Sequence, residues 1–474
     1  MIATLHSPIS HPKLAFTEDQ NRALRKLDRF IANPHPTEPF GIFGYAGTGK
    51  STLTFQFVRQ LLSLRYRVAM TGSTNKAVEQ LQEIALEQGI TGITFMTIHS
   101  LLGLALVREG NQKILKRKET DFLDSFDVVF VDEASMIDKQ LYAHIQRVAA
   151  GAYYTLTSTH PPYIILMGDP GQLNPVNETR SLAFNICDKV VLTQVVRQGQ
   201  GSPLLEFITA IRRHIPSQKK RVPLRPFKPY AHHSQDKRNG AVLVNEQTLI
   251  NYAYQKIAKH FTNNPNSFRI LCWTNNQVDW YNNEIRRRLY GDDAPQFMPG
   301  ERLITREPIY APDHKITLFP TSSEFVVKEI YPDFYSGHSV WRLVVQAKTG
   351  PAKQIYVLHE SEQQRFNHQT DQLLSAAKRN PYLWRRYYQH LETFANVRPC
   401  FALTVHNAQG STFNEVGIDG DDIYARMGDR TSENVLEMNR LFYVAASRAR
   451  HRALIVWSNP IRRQRRNLQY KFRN

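Results

Sequence analysis

The sequence predicts an α/β fold built on parallel sheet with its chemistry along one edge, and three stretches carry that prediction. Gly44-Tyr-Ala-Gly-Thr-Gly-Lys50-Ser51 is a glycine-rich turn between an apolar strand end and a helix. Asp127-Val-Val-Phe-Val-Asp132-Glu133 is an apolar run ending in two adjacent carboxylates. Tyr163-Ile-Ile-Leu-Met-Gly168 repeats the design and runs into Asp-Pro-Gly-Gln172. Strand–loop–helix units repeated in this way bring their polar loops together at one edge of a parallel sheet.

The glycine turn fits G-x-x-x-x-G-K-[ST]. Gly44, Gly47 and Gly49 let the backbone wrap an anion, so that the N–H groups from Ala46 through Thr52 point inward. Lys50 supplies charge for the β- and γ-phosphates, and the Ser51 hydroxyl suits Mg²⁺. Phe40, Ile42 and Phe43 read as the buried strand before the turn. Leu53, Phe57, Leu61 and Leu64 read as one face of the helix after it, whose N-terminus would face the phosphates. The expected ligand is a nucleoside triphosphate. Paired acids at the end of a buried strand seldom serve packing, because unpaired buried charge is costly. Beside a magnesium nucleotide, Asp132 suits the metal's water shell and Glu133 an attacking water.

Upstream, residues to about Leu14 read as loosely ordered. Phe16-Thr-Glu-Asp-Gln20 opens a helix with capping-box spacing, Thr17 at the N-cap and Gln20 at the third helical position. Gln20 therefore has a capping role and, alternatively, an adenine-reading one. After the glycine turn, Arg67–Met70 reads as a strand and Thr71-Gly-Ser-Thr-Asn-Lys76 as a polar loop. A helix follows with Ala77, Leu81 and Ile84 inward. Phe95–Leu102 is apolar, interrupted by Thr97, His99 and Ser100, and His99 alone says little. Leu104–Lys118 reads as a hairpin about Glu109-Gly110-Asn111, or equally as a solvated loop. From His214 to Gly240 the chain is basic and proline-rich, a connector or surface loop. An α/β pattern resumes at Ala241 and Ile270. Short β-rich runs between Glu301 and His359 suit a small antiparallel barrel, followed by a helical, aromatic-bearing stretch, Glu360–Asn396. The α/β pattern returns at Cys400–Val405 and ends at Ala453–Trp457.

At 474 residues the chain has room for several domains. Its three cysteines, Cys187, Cys272 and Cys400, form neither a disulfide framework nor a metal pattern. No apolar run approaches spanning length, so a soluble, cytoplasmic protein without membrane association is expected. The net charge of +18 points to a polyanion, nucleic acid before membrane. The last sixteen residues hold six of the basic side chains and no acid.

In their order these stretches resemble a superfamily-1 helicase of the RecD/Dda-like group. Phe16–Gln20 resembles the adenine-reading motif, Gly44–Ser51 the phosphate loop and Asp132-Glu-Ala-Ser135 the magnesium box. Thr71–Lys76 and Thr97–Leu102 resemble the two single-strand-binding motifs of the first motor domain. Gly168-Asp-Pro-Gly-Gln172 is similar to the γ-phosphate-sensing box, and Leu192-Thr-Gln-Val-Val-Arg197 to the segment carrying one arginine finger. Trp273-Thr-Asn275, Leu403-Thr-Val-His406-Asn-Ala-Gln409-Gly410-Ser-Thr412 and Tyr443-Val-Ala-Ala-Ser-Arg448-Ala449 match the later boxes. Three positions depart from the pattern. Asn407 replaces a basic residue, Ser447 a threonine, and Val196 stands where a related branch has an aromatic. The additional signature segment of the Pif group is not found.

The resemblance implies two RecA-like ATPase domains, 1–188 and 189–305 with 398–474, clamping ATP and Mg²⁺ between them. It also implies a pin-like hairpin at about 103–120, and a barrel-plus-helix insertion at 306–397. Lys50, Glu133, Gln172, Arg197 and Arg448 would act on the triphosphate. Gln20, the loop Gly44–Thr52, Asp132 and Gly410 would bind the nucleotide, with Ser51 and Asp132 at the metal. Thr74, Lys76, Thr97, His99, Thr274, Asn275, Thr404 and His406 would contact single-stranded DNA. The implied activity is 5′→3′ translocation and unwinding of tailed duplex DNA, with a single-strand-binding or replication or repair protein as a further partner. An RNA-directed motor, an ATP-switched clamp that does not unwind, and an ATPase acting on protein or small molecules are the competing readings.

Overall fold

The structure, a computed structural model, describes residues 16–458 except 34–35, 110–111, 118–121, 153–160, 176–177, 179, 195, 197–200, 217–223, 261–263, 312–315 and 349. Arg197, expected as an arginine finger, and the basic tail 459–474 lie outside the described residues.

The first domain opens with α1 (Glu18–Ala32), β1 (Phe40–Gly44), α2 (Lys50–Ser63), β2 (Val68–Gly72), α3 (Asn75–Glu87) and β3 (Ile93–Thr97). It continues through α4 (Ile98–Leu101), β4 (Leu104–Glu109), β5 (Gln112–Arg117), β6 (Val128–Val131), α5 (Lys139–Ala149), β7 (Tyr163–Gly168) and β8 (Lys189–Leu192). Six strands form a parallel sheet in the order β3-β2-β6-β7-β1-β8. Every residue of β1, β2, β6 and β7 is buried, the signature of strands covered on both faces. One core contains Leu27 of α1 together with Leu53, Phe57 and Leu61 of α2, and the other contains Leu141 and Ile145 of α5. Leu64, expected on the inner face of α2, is instead its C-cap and 48% exposed.

The polar loop expected over Thr71–Lys76 shrinks to Ser73 and Thr74. Thr71 stays in β2 because its buried hydroxyl donates to Phe130 O at 2.9 Å. Thr74 starts α3 by accepting Ala77 N–H. β4 and β5 pair antiparallel from Leu104↔Arg117 to Glu109↔Gln112. The first sheet also continues past Asp188, where the resemblance put the boundary, because β8 pairs with β1.

The second domain has α6 (Pro203–Arg212), β9 (His232–His233), β10 (Gly240–Val244), α7 (Glu246–His260), β11 (Phe268–Cys272) and α8 (Asn275–Tyr290). An insertion follows: β12 (Arg302–Thr305), β13 (Ile309–Tyr310), β14 (Thr317–Phe319), β15 (Glu324–Tyr335), β16 (His338–Ala347), β17 (Lys353–Leu358), α9 (Gln363–Arg379), α10 (Trp384–Leu391) and β18 (Val397–Pro399). The chain then completes the second domain with β19 (Ala402–Thr404), β20 (Phe413–Asp419), α11 (Gly420–Ala425), α12 (Ser432–Ser447) and β21 (Ala449–Val456). Its sheet runs β19-β11-β20-β21-β10-β9, parallel except for the edge strand β9.

The insertion sheet runs β17-β16-β15-β12-β18, all antiparallel, so it begins and ends a few residues outside the expected 306–397. The segment just before β18 reaches the opposite edge strand, β17, through a hydrogen bond from Ala395 N–H to Tyr356 O at 2.7 Å. Among the described residues no helix is long and apolar enough to cross a membrane.

Candidate active site

Three loops leave the carboxyl ends of β1, β6 and β7, adjacent strands of the first sheet, and so converge. In the first, Gly47 and Gly49 take φ of 81° and 76°, left-handed values that side chains disfavour. A Cβ on Gly49 would also lie 2.4 Å from Gln20 Nε2. α2 starts at Gly49 without a side-chain cap, so its first N–H groups are not spent on a side chain. Lys50 Nζ folds onto the loop, donating to Gly44 O at 2.6 Å and Tyr45 O at 3.1 Å. Thr48 Oγ1 donates to Tyr45 O, and Val196 N–H donates to Gly47 O at 2.8 Å.

In the second loop Asp132 Oδ1 accepts Glu133 N–H at 2.8 Å. Glu133 has φ 57°, a left-handed conformation costing roughly 1–3 kcal/mol for a non-glycine residue. Such strain is commonest where a side chain must be aimed. Burial, then the neighbouring Asp132 carboxylate, pushes the Glu133 carboxyl up to about 7. Burial raises Asp132 as well, against Lys50 and Arg448, which pull it down. Two adjacent, half-buried acids in this state favour a nearby cation. Ser51 and Asp132 both line the cavity, and a magnesium ion that keeps most of its shell from phosphate and water fits such a donor pair.

In the third loop Gln172 joins both domains. With its amide oriented by its neighbours, Nε2 lies 2.6 Å from Glu133 Oε2 and 3.3 Å from Ser135 Oγ, and Oε1 accepts from Arg448 Nη2 at 3.2 Å. Arg448 follows α12 in the second domain. It is 6% exposed, donates Nη1 to Ser411 O at 3.3 Å, and its Nε has no partner among the described residues. Lys50, Ser51, Asp132, Glu133, Gln172 and Arg448 line one cavity of about 130 Å³. Lysine, two acids and an arginine from the opposite domain can hold a phosphate chain and polarise water beside it.

Other expected residues stand around this centre. Gln20 spends its amide on the protein: Oε1 accepts Thr17 N–H at 3.0 Å and Nε2 donates to Thr48 O at 3.3 Å. It closes the capping box and braces the phosphate loop. Gly410 packs on Ala77 at the start of α3. Two residues were missed by sequence reasoning. Tyr443 OH accepts Ala46 N–H at 2.9 Å and donates to Asp169 Oδ2 at 2.6 Å. Arg440 Nη1 donates to Gln172 O at 2.7 Å and also bonds Asn174 Oδ1.

The nucleic-acid candidates sit apart, where β2, β3, β11 and β19 end. Thr74, Thr97 and Thr274 are N-caps, and Thr404 accepts Asn407 N–H at 3.2 Å. Burial lowers the pKa of His99 and His406, so both are neutral hydrogen-bonding groups near pH 7. Asn275 Oδ1 accepts from Arg398 at 3.1 Å. Lys76 is already engaged: its Nζ lies 2.9 Å from Glu324 Oε1, the first residue of β15.

Residues 17–222 match the family model described as an AAA domain, and residues 399–456 match the UvrD-like helicase C-terminal domain. The ATP-dependent DNA helicase Dda of phage T4 is 27% identical over 282 residues, covering 57% of this chain and 56% of Dda. The chain belongs to the superfamily-1 helicases of the RecD/Dda-like group. An uncharacterised protein of Acanthamoeba polyphaga mimivirus is similar to this helicase at 24% identity, covering 92% of the chain and 99% of the viral protein. A Pif1 helicase solved in work on unwinding at forked double-stranded DNA shares the fold, with a TM-score of 0.50 and 13% identity over 97% of this helicase and 98% of that chain.

Proposed function

We propose that the protein uses ATP hydrolysis to move 5′→3′ along single-stranded DNA and to unwind duplex ahead of it. The observation that carries this reading is Arg448. A second-domain arginine reaches, through Gln172, the catalytic acid of the first domain, so the full charge set exists only when the domains are together. Hydrolysis then alternates with domain motion.

In the proposed reaction Glu133 takes a proton from water as the water oxygen bonds the γ-phosphorus and the bond to the β,γ-bridging oxygen breaks. Lys50 and Arg448 balance the charge that spreads over the phosphoryl oxygens, and Gln172 holds Glu133 and the arginine in register. Ser51 and Asp132 would hold a magnesium ion, which would supply further neutralisation of the phosphates. Single-stranded DNA crosses the two edges that bear Thr74, Thr97, Thr274 and Thr404, with Asn275, His99 and His406 as hydrogen-bonding groups and Lys76 on a phosphate. The β4–β5 hairpin serves as the pin that parts the strands.

The test is unwinding of matched duplexes carrying either a 5′ or a 3′ single-stranded tail, with ATP and Mg²⁺. Unwinding from the 5′ tail is expected. Preference for the 3′ tail overturns the direction, and no unwinding from either overturns the motor.

A further inference from the structure

We infer that Tyr443 is a positioning residue for ATP hydrolysis, its hydroxyl fixing the second domain's α12 against the phosphate loop and the Asp169 loop together. The inference rests on the ATPase reading above. Tyr443 is 1% exposed, and its oxygen sits between Ala46 N–H and Asp169 Oδ2. The other Asp169 oxygen accepts Gly171 N–H at 2.8 Å, so this carboxylate shapes the turn that presents Gln172. One phenol oxygen thus links the loop that cradles phosphate to the loop that carries Gln172.

The same helix makes two further contacts to that loop. Arg440, one turn before Tyr443, holds Gln172 O, and Arg448, just past the helix end, meets Gln172 Oε1. Tyr443 and Arg448 are five residues apart, about 7.5 Å along a helix axis. A shift at the tyrosine is therefore passed to the arginine with little slack. Burial, then the Asp169 charge, raises the phenol well above its ordinary range, so it remains a donor to Asp169 at neutral pH. The ring also fills space: a Cβ on Gly171 would come within 3.1 Å of Tyr443 Cε1. Tyr443→Phe removes the hydroxyl and keeps that packing.

A hydrogen bond to a charged acceptor, lost inside a buried site, corresponds to roughly a tenfold or larger effect on a rate that depends on it. Tyr443→Phe should therefore lower DNA-stimulated kcat for ATP by about tenfold, while KM for ATP changes much less. Fewer base pairs should be unwound per ATP consumed. Asp169→Asn, which can accept at only one of its two positions, approaches the same linkage from the other side and should lower kcat in the same direction. The double variant should be no worse than the more severe single one.

The measurement is steady-state ATP turnover with single-stranded DNA for wild type, both single variants and the double variant. If the wild type is stimulated by DNA and both single variants match it, Tyr443 only packs and the inference is wrong. A drop confined to KM also overturns it. If the wild type itself shows no DNA-stimulated turnover, the motor reading fails first and takes the inference with it.

Discussion

The first five strands of the two sheets share an order, yet the glycine-rich loop and the cavity belong to the first sheet, and two matching positions set the sheets apart. The fifth strand in the first sheet, β1, opens into Gly44–Ser51, and the helix after it has no side-chain cap. The fifth strand in the second, β10, passes straight into α7, whose start is tied down by Asn245 Oδ1 accepting Thr248 N–H at 2.7 Å. The third strand in both sheets ends in acids. In the first, Asp132 and Glu133 face a cavity shared with Lys50 and Arg448. In the second, Asp419 caps α11, Asp421 accepts Ser458 N–H, and Asp422 accepts Trp273 N–H, Thr274 N–H and the Thr274 hydroxyl. A carboxylate or helix end acts on a ligand where the fold leaves it unspent, and builds structure where the fold consumes it.

Arg448 breaks this comparison most severely if it is misassigned. Arg448→Ala should retain ATP binding yet lose about 10³–10⁵ in stimulated turnover, as other arginine fingers do. Arg448→Lys should rescue little, since a point charge cannot bridge two phosphoryl oxygens as a planar guanidinium does. Nucleotide affinity and turnover of both variants check this, and more than about a tenth of wild-type turnover in Arg448→Ala would remove the finger role.

The matching acid in the second sheet should behave oppositely. Asp421 is 4% exposed and ties the chain after β21 back to α11 through Ser458. Asp421→Ala removes the buried acceptor of the Ser458 N–H and hydroxyl and should cost about 0.5–1.5 kcal/mol of stability. Turnover measured well below the melting transition should stay near that of wild type. Chemical denaturation alongside an ATPase assay tests both halves. Lost turnover in a fully folded variant would mean the second set of acids is not merely architectural.

Legibility followed the range of each interaction. The parallel sheets were readable because β1, β2, β6 and β7 are continuous apolar runs followed by polar loops, and the capping box at Thr17 and Gln20 was readable because its partners are three residues apart. Tyr443 and Arg440 carried no local signal. Their partners, Ala46, Asp169, Gln172 and Asn174, lie more than 260 residues away in sequence, and a buried tyrosine on a helix face reads as core. Burial of Leu64 was overestimated for the opposite reason: helical spacing carries the face on to Leu64, one residue past the end of α2. The engagement of Lys76 was also hidden, because Glu324 belongs to the inserted sheet.

That last contact gives the finest test of spent against unspent groups. Glu324 joins three parts of the molecule: Lys76 of α3 at 2.9 Å, and Arg269 of β11, whose side chain is fully buried, at 2.8 Å. Burial alone would raise the Glu324 carboxyl, but Lys76 and then Arg269 outweigh it and hold it at about 2, against an ordinary 4.5. Because the folded-state value is depressed, the stabilisation is fully present above about pH 4.5 and is lost as the pH falls through about 2. A shift of that size corresponds to something on the order of 3 kcal/mol. Glu324→Gln should therefore be less stable than wild type at pH 7, with the gap closing toward pH 2. The same change releases Lys76. If Lys76 meets a DNA phosphate, the variant should bind single-stranded DNA more tightly at low salt, with the log–log salt slope steeper by about 0.7. Titrating a fluorescent oligonucleotide across salt concentrations, with acid unfolding of both proteins, separates the two consequences. A lower stability with unchanged affinity and slope would leave Glu324 as a brace and take Lys76 off the nucleic-acid path.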